Sequence, residues 1–176
     1  PDGCSSAYLP MMADGSISPD VIAERYRQMP AADLLAWFDT SRAALVAAFA
    51  DIAPATRLPW FGPPMSAVSS LTARLMETWA HSQAVYDVLG KTRTDADRIK
   101  NVVIIGLNTF GWTFKNRELV VPTHIPYLRL SAPSGGIWEW NPPSKENCIE
   151  GSAVEFCQVV TQVRNIADTT LQVVGE

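Results

Sequence analysis

Residues 66–90 read SAVSSLTARLMETWAHSQAVYDVLG, and this stretch decides how the rest of the chain is read. Ser66 is an N-cap residue type and Gly90 a C-terminal stop, so the spacing predicts a helix from Ser66 to about Leu89. At about 100° per residue, Val68, Leu71, Leu75, Trp79, Tyr86 and Leu89 share one face, an ordinary core stripe. The opposite face carries Ser66, Ser70, Ala73, Glu77, Ala80, His81, Ala84 and Val88. Its only titratable members are Glu77 and His81, one turn apart. A helix that is small or apolar on both sides is expected to be buried on both sides, where an unpaired charge is expensive. Two readings of the pair follow. It is an i, i+4 hydrogen-bonded couple, or it is half of a metal site, because a carboxylate oxygen and an imidazole nitrogen at that spacing project side by side.

Working outward, the elements upstream are helical. Ser18-Pro19-Asp20 combines an N-cap, a proline at the first helical position and an acid in the first turn, and starts a short helix ending near Pro30. A longer helix runs from about Ala31 to Ile52, with Leu34, Leu35, Phe38, Leu45, Val46 and Phe49 at helical spacing. The segment Arg57 to Pro64 holds three prolines and a glycine and is expected to be irregular. Downstream of Gly90, Thr94 with Asp97 resembles a capping arrangement for a helix from about Asp95 to Lys115. Its core face is Ile99, Val102, Val103, Leu107, Phe110 and Phe114.

After Pro122 the period changes. Tyr127–Ser131 and Ile137–Trp140 read as two strands joined by the turn Pro133-Ser134-Gly135-Gly136. Ser152 with Glu155 forms a capping box for a further helix carrying Val154, Phe156, Cys157, Val159 and Val160. Thr170 to Val174 reads as a last strand. The fold class expected is therefore α+β, all helical to about Leu119 and mixed beyond it.

Composition excludes several functions. Of 176 residues, 47% are hydrophobic and 18% charged, so there is ample apolar surface to bury and disorder is excluded. The net charge of −4 leaves no basic stripe for nucleic acid. No apolar run approaches the ~18 residues needed to span a membrane. The three cysteines Cys4, Cys148 and Cys157 form no CxxC pair, which argues against a zinc ribbon or a thioredoxin-type motif and for a reducing, cytoplasmic compartment. With only His81 and His124 present, a three-histidine site within the chain is impossible.

The stretch Met65-Ser66-Ala67 through Thr72-Ala73-Arg74-Leu75-Met76-Glu77-Thr78-Trp79-Ala80-His81 resembles a metal-bearing helix of the DinB-like family that includes mycothiol-dependent maleylpyruvate isomerase. The likeness is nearest to an actinobacterial metal-binding branch. It extends through Arg98-Ile99, Phe110-Gly111-Trp112-Thr113-Phe114, the two strands, Gly151-Ser152-Ala153, Phe156-Cys157, Val160-Thr161-Gln162 and Arg164. The resemblance implies an incomplete DinB-type helical bundle over residues 1–119, followed over 120–176 by part of a small C-terminal α/β domain that looks sterol-carrier-like. It implies a divalent metal, zinc first among candidates, with Glu77 and His81 as two ligands. The family's other histidine comes from an earlier helix, here upstream of Pro1, and Asn101 stands where the family often has a histidine. The chain is thus expected to be truncated at both ends.

The activity implied is a metal-dependent isomerase or transferase that uses a low-molecular-weight thiol such as mycothiol on a small-molecule substrate, without nucleic-acid or membrane partners. Arg164 is implied as an anion-binding catalytic residue; a cation closing the last helix is the competing explanation. Arg74 lies beside the Glu77–His81 face, either paired with Glu77 or exposed. Trp60 and Phe61 either roof the site or anchor their loop. The alternative for the whole chain is a non-catalytic module that binds a metal or an apolar ligand.

Overall fold

The computed structural model describes residues 10–11, 14–24, 26–60 and 64–175. The chain is mixed α+β, with five helices and two sheets among them. It divides into two compact units, residues 1–70 and 71–176.

In the first unit, α1 (Pro19–Glu24) starts where Ser18 Oγ accepts the Val21 N–H at 3.3 Å, the cap expected of that residue. Helix α2 (Ala31–Ala50) matches its expected span, but none of its described residues is buried. Leu35 and Val46 are 65% and 66% exposed, whereas the spacing predicts a core stripe. The helix is apolar nearly all round, so no single face is marked for packing. The Arg57–Pro64 segment is a correction to the expected irregular loop. Its ends pair, β1 (Arg57–Leu58) antiparallel to β2 (Met65–Ser66). Pro59 and Pro64 lie outside the paired residues, where a missing N–H does not interrupt the ladder.

Helix α3 (Ala67–Val88) follows directly. Ser66 Oγ accepts the Ser69 N–H at 3.1 Å at its start. At its end Gly90 adopts φ 59°, and the N–H groups of Gly90 and Lys91 return to the carbonyls of Asp87 and Tyr86. This double closure needs a left-handed residue, which glycine supplies without steric cost.

The second unit holds the core. A short 3₁₀ turn (Asp97–Ile99) leads into α4 (Lys100–Lys115). The expected Thr94–Asp97 cap is absent: the N-cap is Ala96, without a side-chain bond. Asp97 instead accepts both the N–H and the hydroxyl of Ser134, which ties the next hairpin to the start of α4. Strands β3 (Tyr127–Ser131) and β4 (Ile137–Trp140) pair antiparallel as expected, with Leu130 opposite Trp138. An unexpected strand, β5 (Cys148–Ser152), pairs parallel to β3. Helix α5 (Ala153–Val160) and a second 3₁₀ turn (Ile166–Asp168) connect it to β6 (Gln172–Val174), giving the order β4-β3-β5-β6. Ser152 caps α5 by accepting the Val154 N–H at 3.2 Å. Glu155 does not complete the expected capping box; it holds the N–H and hydroxyl of Thr170.

Leu128 and Leu130 point inward with Ile99, Val102, Val103, Phe156 and Cys157, and Trp79 and Ala80 of α3 join them. Gly106 of α4 is where α5 comes close, since a Cβ there would stand 3.3 Å from Val160.

A buried guanidinium pins α3 to this core. The Arg93 side chain is only 10% exposed and donates to Asp95 Oδ1, the Trp79 carbonyl, Ser82 Oγ and Gln83 Oε1 at 2.7–3.1 Å. It also lies 4.1 Å over the Trp79 ring, whose indole N–H donates to Asp95 at 2.7 Å. Removing one partner of such a set strands the others. Arg93→Ala should therefore destabilise the 71–176 unit by about 3 kcal/mol in urea unfolding, and Arg93→Lys should restore less than half, because an ammonium cannot reproduce the fork. A loss under about 1 kcal/mol, the net worth of one ordinary hydrogen bond, would show that the cluster is dispensable.

Candidate functional site

Helix α3 presents two different faces. Ala73, Trp79, Ala80 and Gln83 are buried. On the other side Arg74, Thr78, His81, Val85 and Val88 are exposed and Glu77 is half-buried. This corrects the expectation of burial on both sides. Small residues beside Glu77 and His81 suggested a dry seam, but Trp79 and Met76 select the packed face and leave the other to solvent. Val68, Leu71 and Leu89, expected in the core stripe, are exposed as well.

The structure does bring Glu77 and His81 together. Glu77 Oε2 and His81 Nε2 stand 3.0 Å apart, with the imidazole 82% and the carboxylate side chain 40% exposed. A solvated pair of this kind contributes under about 1 kcal/mol to stability, so the fold does not require it. As metal donors the two fit in type and spacing, since ligand atoms about 2 Å from a shared ion stand about 3 Å apart. They are two donors, fewer than the three protein ligands a catalytic zinc site uses. Among the described residues no group of three or more His, Cys, Asp or Glu side chains is placed to hold an ion. Arg74 makes no ion pair with Glu77, which is engaged by His81 instead. His124 is exposed in the connector before β3, and Asn101 donates to the Arg98 carbonyl. Trp60 is half-buried, while Phe61 and Cys4 lie outside the described residues.

Arg164 lies elsewhere. It is not in the last helix, which ends at Val160, but in the turn beyond it. Its guanidinium grips Asp87 with two bonds, Nη1 to Oδ2 at 2.8 Å and Nη2 to Oδ1 at 2.5 Å. Each partner shifts the other. The hydrogen bonds from Arg164 and then from Gln83 hold the Asp87 carboxyl below its ordinary range, and Asp87 holds the Arg164 guanidinium above its own. Arg164 also borders a shallow, solvent-open surface hollow of about 460 Å³ with Val159, Gln162, Val163, Asn165 and Asp168. By helix geometry Asp87 lies about 9 Å along α3 from His81 and about 120° round it. Asp87, which holds Arg164, and the Glu77–His81 pair thus share a helix and not a face.

Asp87 and Gln83 were not singled out from sequence. Their i, i+4 spacing on α3 was visible, but their partners Arg164 and Gln158 stand 77 and 75 positions away from them.

The chain's described thiols are buried. Cys157 has no exposure, and its Sγ lies 3.6 Å from the Ile99 carbonyl; burial pushes its pKa up to about 12. A thiol with a raised pKa is protonated at every pH below it, so the reactive thiolate is scarce at neutral pH. In the folded protein at pH 8, Cys157 should resist iodoacetamide and should label only after unfolding in urea, as read by peptide mass mapping. Rapid labelling of the native thiol at pH 8 would contradict this.

The family described as the mycothiol maleylpyruvate isomerase N-terminal domain matches residues 6–86, a span that includes Glu77 and His81. Two uncharacterized proteins, one from each of two strains of Mycobacterium tuberculosis, are each 36% identical to the chain over 175 residues, covering 97% of it and 68% of the relative. No solved structure matches. With one relative aligned over almost every residue and a family domain aligned over the helix that bears the Glu–His pair, the chain belongs to the mycothiol maleylpyruvate isomerase N-terminal domain family.

Proposed function

We propose that the chain serves a metal-dependent and thiol-dependent isomerase or transferase reaction of the maleylpyruvate isomerase type, on a small-molecule substrate in the cytoplasm. The observation that carries the reading is the Glu77–His81 pair: two donors of the right kind, 3.0 Å apart, open to solvent and within the family-matched segment. Such a mixed oxygen and nitrogen set suits zinc and its neighbours. When bound, the ion would lower the pKa of a coordinated thiol of the mycothiol class and make it a usable nucleophile near neutral pH.

The chain's own residues have the following parts. Glu77 brings one negative charge and His81 a neutral nitrogen, so the pair leaves a dication with positive charge to spare for a thiolate or an anion. Buried Cys157 supplies no nucleophile, which fits a reaction that draws its thiol from outside. Arg164, on a different face from the pair, is the chain's candidate contact for an anionic group of a ligand. In this reading residues 1–119 are the metal-holding, DinB-like helical part and 120–176 the sterol-carrier-like α/β part. That is a division by kind of secondary structure; by compactness the chain divides after Ser70.

Zinc binding by the full chain tests the proposal. Because the pair is exposed, Glu77→Gln and His81→Ala should fold normally. Each should weaken zinc binding at least tenfold in calorimetric titration, in line with the loss typical of metal-site substitutions. Equal affinity in all three proteins would overturn the metal assignment. A protein that holds zinc through these residues and yet does not accelerate addition of a small thiol to an unsaturated acid would leave the non-catalytic binding module as the function.

A further inference from the structure

Arg164 carries five N–H donors in a rigid planar fork. Three are engaged. Nη1 donates to Asp87 Oδ2 at 2.8 Å and to the Val163 carbonyl at 3.0 Å, and Nη2 donates once to Asp87 Oδ1 at 2.5 Å. Nε and the second Nη2 hydrogen bond to no described residue. These two donors are adjacent and parallel, the side-on edge of the guanidinium, and they match the two oxygens of a carboxylate. The side chain that bears them borders the open 460 Å³ surface hollow, where Val159 and Val163 add apolar surface and Gln162 and Asn165 add amides.

The orientation of that edge is built from behind. Gln83 is 8% exposed. Its Oε1 accepts from Arg93 Nη2 at 3.0 Å and from Gln158 Nε2 at 3.1 Å. A guanidinium has only donors, so Arg93 dictates which end of the amide faces it and turns Gln83 Nε2 toward Asp87 Oδ1, 2.9 Å away. Asp87 then has both oxygens committed and takes Arg164 end-on. The chain of contacts runs from buried Arg93 through Gln83 and Asp87 to the edge of the hollow.

We propose that Asp87 is the positioning residue for Arg164, and that the side-on edge it leaves open takes a carboxylate in this hollow. The inference rests on the reading of Arg164 as an anion contact and extends it to a ligand class and to the residues that aim the contact. It predicts a sign that simple charge does not. Asp87 is an anion close to the site, so neutralising it should tighten anion binding by Coulomb's law alone. If Asp87 aims the fork, neutralising it weakens binding instead, because an amide cannot accept both N–H bonds.

Acetate titrated into the full chain, followed by NMR of ¹⁵N-labelled arginine side chains, separates these outcomes. Acetate should shift the Arg164 Nε signal, and Arg164→Ala should abolish binding. Asp87→Asn should weaken acetate at least fivefold and broaden the Arg164 guanidinium signals as the side chain begins to rotate, whereas Asp168→Asn, a charge change at the rim of the hollow, should tighten binding or leave it unchanged. Asp87→Glu, with charge kept and reach altered, should fall between wild type and Asp87→Asn. If acetate binds Arg164→Ala as it binds wild type, the anion role of Arg164 itself fails. If Arg164→Ala loses acetate but Asp87→Asn binds it as well or better, Arg164 keeps its role and the positioning by Asp87 fails.

Discussion

A guanidinium cannot be taken out of water without acceptors, and Arg93 is the side chain on which the second unit is organised. It makes four bonds and lies near two aromatic faces, Trp79 and Tyr86, and all lead to α3 or to the loop beside it. Trp79 is held twice, through its ring and through its indole N–H on Asp95. Once Trp79 is fixed, the rotation of α3 about its own axis is fixed too. Gln83 and Ala80 then face the core, and Glu77 and His81 face water. The exposure of the Glu77–His81 pair is therefore a consequence of a polar cluster on the far side of the same helix.

The two faces divide the labour. One carries the Glu77–His81 pair, solvated and held by the helix alone. The other carries a closed network that ends on an arginine at an open hollow. The contrast in order is large: His81 is 82% exposed, whereas Gln83, two residues on, is buried with both ends of its amide engaged. The position of Arg164 depends on distant residues holding still; that of Glu77 and His81 depends on the helix alone.

Legibility from sequence followed the range of the interactions. Caps at Ser18, Ser66 and Ser152 and the stop at Gly90 are made within a few residues, and each is where the sequence places it. The β3–β4 hairpin was equally plain, because its turn and its alternation are local. Strand β5 was not, since Cys148–Ser152 is short and its partner is a parallel strand set by the core. The Glu77–His81 contact was legible from spacing. Its exposure was not, because alanine and serine fit a buried seam and a solvated face equally well, and Trp79 decides between them through Arg93. Asp87 and Arg164 could not be joined from sequence, as each looks like an ordinary surface charge until the fold brings them together.

The long reach of these ties bears on how the unit comes together. Sequence-distant contacts, such as Gln83 with Gln158 and Asp87 with Arg164, must wait for loop closure, and loops of that length close late. During synthesis at about 5–20 residues per second, α3 leaves the ribosome several seconds before the strands and α5 exist to complete the core that Trp79 and Ala80 join. Over that interval its apolar face is bare. The core faces of α3 and α4 therefore emerge together before their partners, and the nascent chain is open to association with another copy of itself until the sheet and α5 arrive.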